Sequence, residues 1–83
     1  MSDNDRQLLA LARKGNIEAF EKLTANYQKK VYNIILSKYT NRSEVSQLTQ
    51  EVFVRMFKSI RQMQDDSLFV LSIYKTAKEV CRL

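Results

Sequence analysis

Ser46-Gln47-Leu48-Thr49-Gln50-Glu51-Val52-Phe53-Val54-Arg55-Met56-Phe57-Lys58-Ser59-Ile60 carries one apolar stripe, and its spacing decides the fold. With Val45 just upstream, Leu48, Val52, Phe53, Met56, Phe57 and Ile60 return at steps of three and four, the period of an amphipathic helix. Asn41 or Ser43 can cap that helix, which is expected over about Ser43 to Met63. Residues 47, 50, 51 and 54 fall on a second stripe, offset from the core stripe at 45, 48, 52 and 56. Core packing is the first reading of such an apolar stripe.

Three more helices surround this one. The first is expected from about Asp3 to Lys14, with apolar Leu8, Leu9, Leu11 and Ala12. Ser2 or Asp3 can cap it, Asp5 suits its positive end, and Gly15 stops it. Asn16 can cap the second, expected from about Ile17 to Tyr39, with Phe20, Leu23, Tyr27, Val31, Ile34 and Ile35 near the helical period. Glu18 precedes Lys22 by four, a modestly helix-favouring pair. The tract Gln62–Ser67 breaks the third helix. Ser67 or Asp66 can cap a fourth, about Leu68 to Arg82, with Phe69, Ile73, Tyr74, Ala77 and Val80 on one side. The expected core is Phe20, Leu23, Tyr27, Leu48, Val52, Phe53, Phe57 and Ile73.

Composition points the same way. The chain has no proline and only one glycine in 83 residues. Tight hairpins draw on Gly, Asn-Gly or Pro, so strands are disfavoured and the expected class is all-α, a three- to four-helix bundle. The length suits one domain, residues 1–83, with modest stability and a monomeric state. At 45% hydrophobic and 28% charged residues the chain is globular rather than disordered in composition. The lone Cys81 has no internal partner, which fits a reducing, cytoplasmic setting. No apolar run approaches the length of a membrane span, and Met1-Ser2-Asp3-Asn4-Asp5 is unlike a signal peptide.

The net charge of +5 is unevenly placed. Residues 1–27 hold four bases and four acids, whereas residues 28–83 hold ten bases and five acids. A basic surplus fits an anionic partner such as nucleic acid, or simply a solvated surface. Enzymatic chemistry finds no support. There is no histidine, one cysteine cannot build a thiolate metal site, and no glycine-rich loop can cradle phosphate. No catalytic residue, metal site or cofactor is expected. Asp65-Asp66 reads as a solvated turn and helix cap with no obvious partner.

As a motif, residues 46–60 resemble the region-2.2 signature of bacterial extracytoplasmic-function sigma factors. That signature is an acid, Leu, Thr or Val, Gln, Glu, Val or Thr, Phe, then apolar and basic residues in alternation. The flanks agree. Asp5 to Phe20, with Leu8-Leu9, Ala12, Gly15, Glu18 and Ala19-Phe20, is similar to the family's first stretch. Phe69 through Ala77, with Ile73-Tyr74-Lys75-Thr76-Ala77, is similar to its region 2.3–2.4. The resemblance covers nearly the whole chain and implies the region-2 domain, with the family's second helical domain, region 4, absent.

The resemblance also implies partners and residues. Gln47, Gln50, Glu51, Val54 and Arg55 would meet the clamp helices of the largest subunit of core RNA polymerase. The loop Gln62–Ser67 and the last helix would open promoter DNA at its −10 element and capture an unstacked base of the non-template strand. In that role Arg61, Lys75, Lys78 and Arg82 would hold phosphates, and Gln64 and Ser67 would supply polar groups for base edges. Phe69 and Tyr74 read first as core, and alternatively as a stacking surface.

Three positions depart from the pattern. Gln47 replaces an acid of the clamp-binding motif. Ser72 stands where most members have Trp. Glu79 puts a negative charge where a neutral residue is usual. The last two bear on promoter opening more than on polymerase binding. Two functions therefore stay open: a sigma domain that binds polymerase and promoter DNA, and a sigma-like decoy that binds an anti-sigma factor or another regulator without opening DNA.

Overall fold

A computed structural model describes residues 2–63 and 65–81. Among these residues there are four α-helices, α1 (Asp3–Arg13), α2 (Ile17–Leu36), α3 (Arg42–Ser59) and α4 (Phe69–Val80), and no strand. Single 3-10 turns, Ile60–Gln62 and Asp66–Leu68, join α3 to α4. The all-α expectation is met.

Each helix start has a local cause. The Ser2 hydroxyl accepts from the Asp5 N–H at 3.1 Å. Asn16 accepts from Ala19 N–H at 3.0 Å, and Asn41 accepts from Ser43 and Glu44 N–H at 2.9 and 3.2 Å. These side chains satisfy donors that have no partner inside the helix. Between α1 and α2 the backbone must reverse, and Gly15 does so at φ +98°, a conformation that burdens any residue with a Cβ.

Helix ends come earlier than the periodicity predicts. α2 stops at Leu36 rather than near Tyr39. There the Ser37 hydroxyl donates to the Ile34 carbonyl and Lys38 N–H donates to Ile35, which turns the chain out of the helix. The run expected to Met63 is α-helical to Ser59 and tightens into a 3-10 turn over Ile60–Gln62. α4 begins at Phe69 and neither Ser67 nor Asp66 caps it. Instead Asp65 accepts from Ser67 N–H at 2.9 Å and starts the 3-10 turn that leads into α4.

The core lies where all four helices meet. Leu9 of α1, Leu23, Val31 and Ile35 of α2, Val45, Val52 and Met56 of α3, and Phe69 and Ile73 of α4 are buried. Fully burying an aliphatic or aromatic side chain contributes about 1.5–3 kcal/mol each, against the entropy of ordering the chain. Of the expected core, Phe20, Leu23, Val52, Phe53 and Ile73 are buried, whereas Tyr27, Leu48 and Phe57 are half-buried at its edge. Two edge-to-face aromatic pairs tie helices together. Phe20 meets Phe57 at 5.1 Å between centroids, and Tyr27 meets Phe69 at 6.4 Å. Buried Thr24 and Thr49 donate their hydroxyls to the carbonyls one turn earlier, Phe20 and Val45, so neither leaves a polar atom unpaired.

Candidate functional site

α3 buries one stripe and leaves the other uncovered. Val45, Thr49, Val52, Phe53 and Met56 point inward. Gln47, Gln50, Glu51, Val54 and Arg55 are all exposed, so the structure brings the five polymerase-face candidates onto one helix surface. Arg55 donates to the Glu51 carboxylate at 3.1 Å, one turn away. Both side chains are nearly half exposed, so the pair orients the two groups more than it stabilises the helix. Val54 is 53% exposed, an apolar residue set among polar ones.

That face continues into a groove that sequence alone does not reveal. An open cavity of about 460 Å³ runs between α2 and α3, with Gln50 and Val54 on one wall, Ile17, Thr24 and Gln28 on the other, and Phe57 at its side. Ile17 is 59% exposed. The α2 contribution was missed because Ile17 reads as part of the helix start. Three residues before Phe20, it continues the Phe20–Leu23–Tyr27 stripe, so periodicity gives no signal of its exposure.

The second group of candidates is more dispersed. Lys75 and Lys78 are exposed on the outer side of α4, three residues apart, and no ion pair engages either among the described residues. Arg61 is exposed in the first 3-10 turn, its guanidinium within 3.3 Å of where a Cβ on Gly15 would stand, so it sits by the α1–α2 turn. Ser67 is exposed in the second 3-10 turn, and a helical rise of 1.5 Å per residue puts Lys78 roughly 16 Å along from it. Gln64 and Arg82 lie outside the described residues. Of the two aromatic candidates, Phe69 is fully buried against Tyr27 and offers no stacking surface, while Tyr74 is half-buried.

The loop between α3 and α4 is tied down, against the expectation that Asp65-Asp66 lacks a partner. Arg13, at the end of α1, donates to the Met63 carbonyl at 2.6 Å and pairs with the Asp66 carboxylate at 2.9 Å. The adjacent Asp65 carboxyl is held below the ordinary aspartate value by the hydrogen bonds it accepts from Ser67. Cys81 is a buried free thiol, pushed up by burial and partly offset by the positive charge of Lys38. Among the described residues no cluster of metal-ligating side chains occurs, and no helix is long and apolar enough to cross a membrane.

Comparison with known proteins gives the family. Over 73 residues, 88% of this chain and 38% of the relative, it is 30% identical to the ECF RNA polymerase sigma-E factor of Haemophilus influenzae. The identity and coverage are the same against the sigma-E factor of Escherichia coli. Against the RNA polymerase sigma-H factor of Pseudomonas aeruginosa it is 27% identical over 75 residues, 90% of this chain and 39% of the relative. No family model matches the chain, and no solved structure does. The chain is a homologue of the ECF sigma factors, and its strand-free four-helix bundle is consistent with their region 2. It spans 38% of the length of the sigma-E relatives it matches.

Proposed function

We propose that this chain acts in transcription initiation as a sigma region-2 domain, docking on the clamp helices of core RNA polymerase through α3 and contacting the promoter −10 element through the α3–α4 loop and α4. It does so in the cytoplasm and without catalysing a reaction. The observation that carries the reading is the uncovered face Gln47, Gln50, Glu51, Val54 and Arg55, on the helix whose sequence matches the sigma motif. Polar groups ringing one exposed apolar residue suit a partner helix better than bulk water does. The groove beside Val54 extends that surface onto α2. Lys75, Lys78 and Arg61, in no ion pair among the described residues, supply cations for phosphate, and the tethered loop offers polar groups to an unstacked base.

The test is a pull-down of core polymerase with the chain and with Gln50→Ala and Glu51→Ala. Retention of the parent and loss in the variants supports the clamp face, and equal retention of all three removes it.

One observation favours the decoy as a second reading. Glu79 is exposed on α4, one turn from Lys75, and no cation pairs with it among the described residues. A carboxylate there opposes phosphate, so a domain that binds polymerase or a regulator but fails to hold promoter DNA would fit it. DNA opening by reconstituted polymerase, with Glu79→Asn alongside, separates the two readings.

A further inference from the structure

Leu9 and Ala12 form the buried side of α1, and Arg13 stands one turn after Leu9 on that side. Its stem is therefore partly buried while its charge sits at the last residue of the helix, next to the turn at Gly15. The connection between α3 and α4 meets this corner at three residues. The Arg61 guanidinium comes within 3.3 Å of where a Cβ on Gly15 would stand. The Met63 carbonyl accepts from Arg13 at 2.6 Å, and the Asp66 carboxylate pairs with the same nitrogen at 2.9 Å.

These contacts set the course of the chain more than they stabilise it. An ion pair this exposed contributes little. The buried Nε of Arg13 has no hydrogen-bond partner among the described residues, which offsets part of what the two contacts give. Their positions matter more. Met63 ends the 3-10 turn that follows α3, and Asp66 opens the 3-10 turn that leads into α4. A single nitrogen bound to both fixes the distance between the two turns.

The adjacent acids have separate partners. Asp66 is held from α1, whereas Asp65 accepts from the Ser67 N–H at 2.9 Å. One tie is long-range and the other local. Together they fix the backbone on either side of Asp66, and with it the exposed Ser67.

We propose that Arg13 is a positioning residue for base recognition: from α1, which belongs to neither proposed contact surface, it holds the α3–α4 connection in the shape in which its polar groups meet an unstacked base. The role rests on the nucleic-acid reading of that connection given above and adds the residue that sets its geometry. Reading a base edge by hydrogen bonds needs donors and acceptors held within about 0.5 Å of the productive arrangement. Holding phosphate with long cationic side chains does not. Loss of the tie therefore blurs the choice among bases and spares the attraction to the backbone.

The test is fluorescence anisotropy of the full chain, bound to core polymerase, with short labelled abasic strands that carry one central A, C, G or T. All the strands present the same phosphates, so the phosphate contribution cancels in the ratio of their affinities. The parent should favour one base by roughly tenfold, the worth of a hydrogen bond or two to its edge. Arg13→Met keeps a stem and removes both contacts. It should lower that ratio to about twofold or less, with affinity for a strand lacking any base nearly unchanged. Arg13→Lys should restore the preference, because one nitrogen makes both contacts and an ammonium carries its donors on one atom. Arg42→Ala, which removes an exposed cation at the far end of α3, should leave the ratio as it is.

A destabilised domain binds all the strands less, by one common factor. A ratio kept in Arg13→Met, whether or not the affinities fall together, therefore overturns the positioning role and leaves the nucleic-acid reading standing. A preference that Arg13→Met loses and Arg13→Lys does not regain would trace the loss to something other than the two contacts and also overturn the role. Equal binding of every strand by the parent overturns both. Should Arg13→Met lack helical circular dichroism, Asp66→Asn leaves the bond to Met63 in place and carries the same comparison. Its ratio should fall part of the way, and an unchanged ratio overturns the role.

Discussion

The Arg13 guanidinium reaches from the end of α1 to the Asp66 carboxylate at 2.9 Å and, with the same nitrogen, to the Met63 carbonyl at 2.6 Å. One side chain thus holds both flanks of the segment that joins α3 to α4. Its Nε is buried and has no partner among the described residues, so the tie runs through that one outer nitrogen.

Arg13→Ala should destabilise the domain by about 1–2 kcal/mol. Most of that comes from the charge-assisted bond to the carbonyl, because an ion pair this exposed contributes under about 1 kcal/mol. Asp66→Asn should cost less than Arg13→Ala for the same reason. Urea unfolding of both variants checks the order, and a larger loss for Asp66→Asn would show that the ion pair dominates.

Glu51→Lys should abolish binding to core polymerase while helicity stays near that of the parent. The change places two cations, Lys and Arg55, one turn apart where an ion pair stood, which costs only a few tenths of a kcal/mol within the helix. At a polar interface a reversed charge adds repulsion to the lost contact. Circular dichroism and a polymerase pull-down, run side by side, separate folding from docking. A variant that binds like the parent would assign the polymerase face elsewhere.

Phe53→Ala should cost about 3–5 kcal/mol, and Phe69→Ala should sit higher in that range. Phe53 is 9% exposed and borders the α2–α3 groove, where solvent can relax into the space, whereas Phe69 is fully enclosed and loses its edge contact with Tyr27. A domain this small has only a few kcal/mol in hand, so Phe69→Ala should lack a cooperative melt. Thermal unfolding followed by circular dichroism reads both, and equal melting of the two variants would contradict the difference in burial.

Asp65 gives a pH dependence of known sign. Its folded-state pKa is depressed because the carboxylate accepts from Ser67. Its contribution is therefore present above the ordinary aspartate pKa of about 4 and is lost as pH falls through the lower folded value. Asp65→Asn keeps an acceptor oxygen and should flatten this acid limb, while Asp65→Ala should remove the cap at all pH. Carboxyl titration by NMR in the parent should give a value below that of an unstructured aspartate. A value at or above it would exclude the cap.

The helices and their caps were legible because both are local. Asn16 and Asn41 satisfy donors two or three residues away, Gly15 takes a conformation that depends on its own missing Cβ, and the 45–60 stripe repeats within single turns. The exposed candidate face followed from the same periodicity, since whatever lies opposite a buried stripe is left outside. Helix ends were less legible. The last turns of α2 and α3 leave the α-helix through tight i→i+3 bonds that no single residue announces.

Only the tertiary structure decided the rest. Arg13 and Met63 are 50 residues apart, and nothing in either neighbourhood marks them as partners. The α2–α3 groove and the edge contact of Tyr27 with Phe69 depend on which sides of the helices meet. Periodicity sets which residues share a side of one helix. Which side of its neighbour that surface meets is set by packing side chains from all four helices at once, a long-range condition that no local pattern encodes.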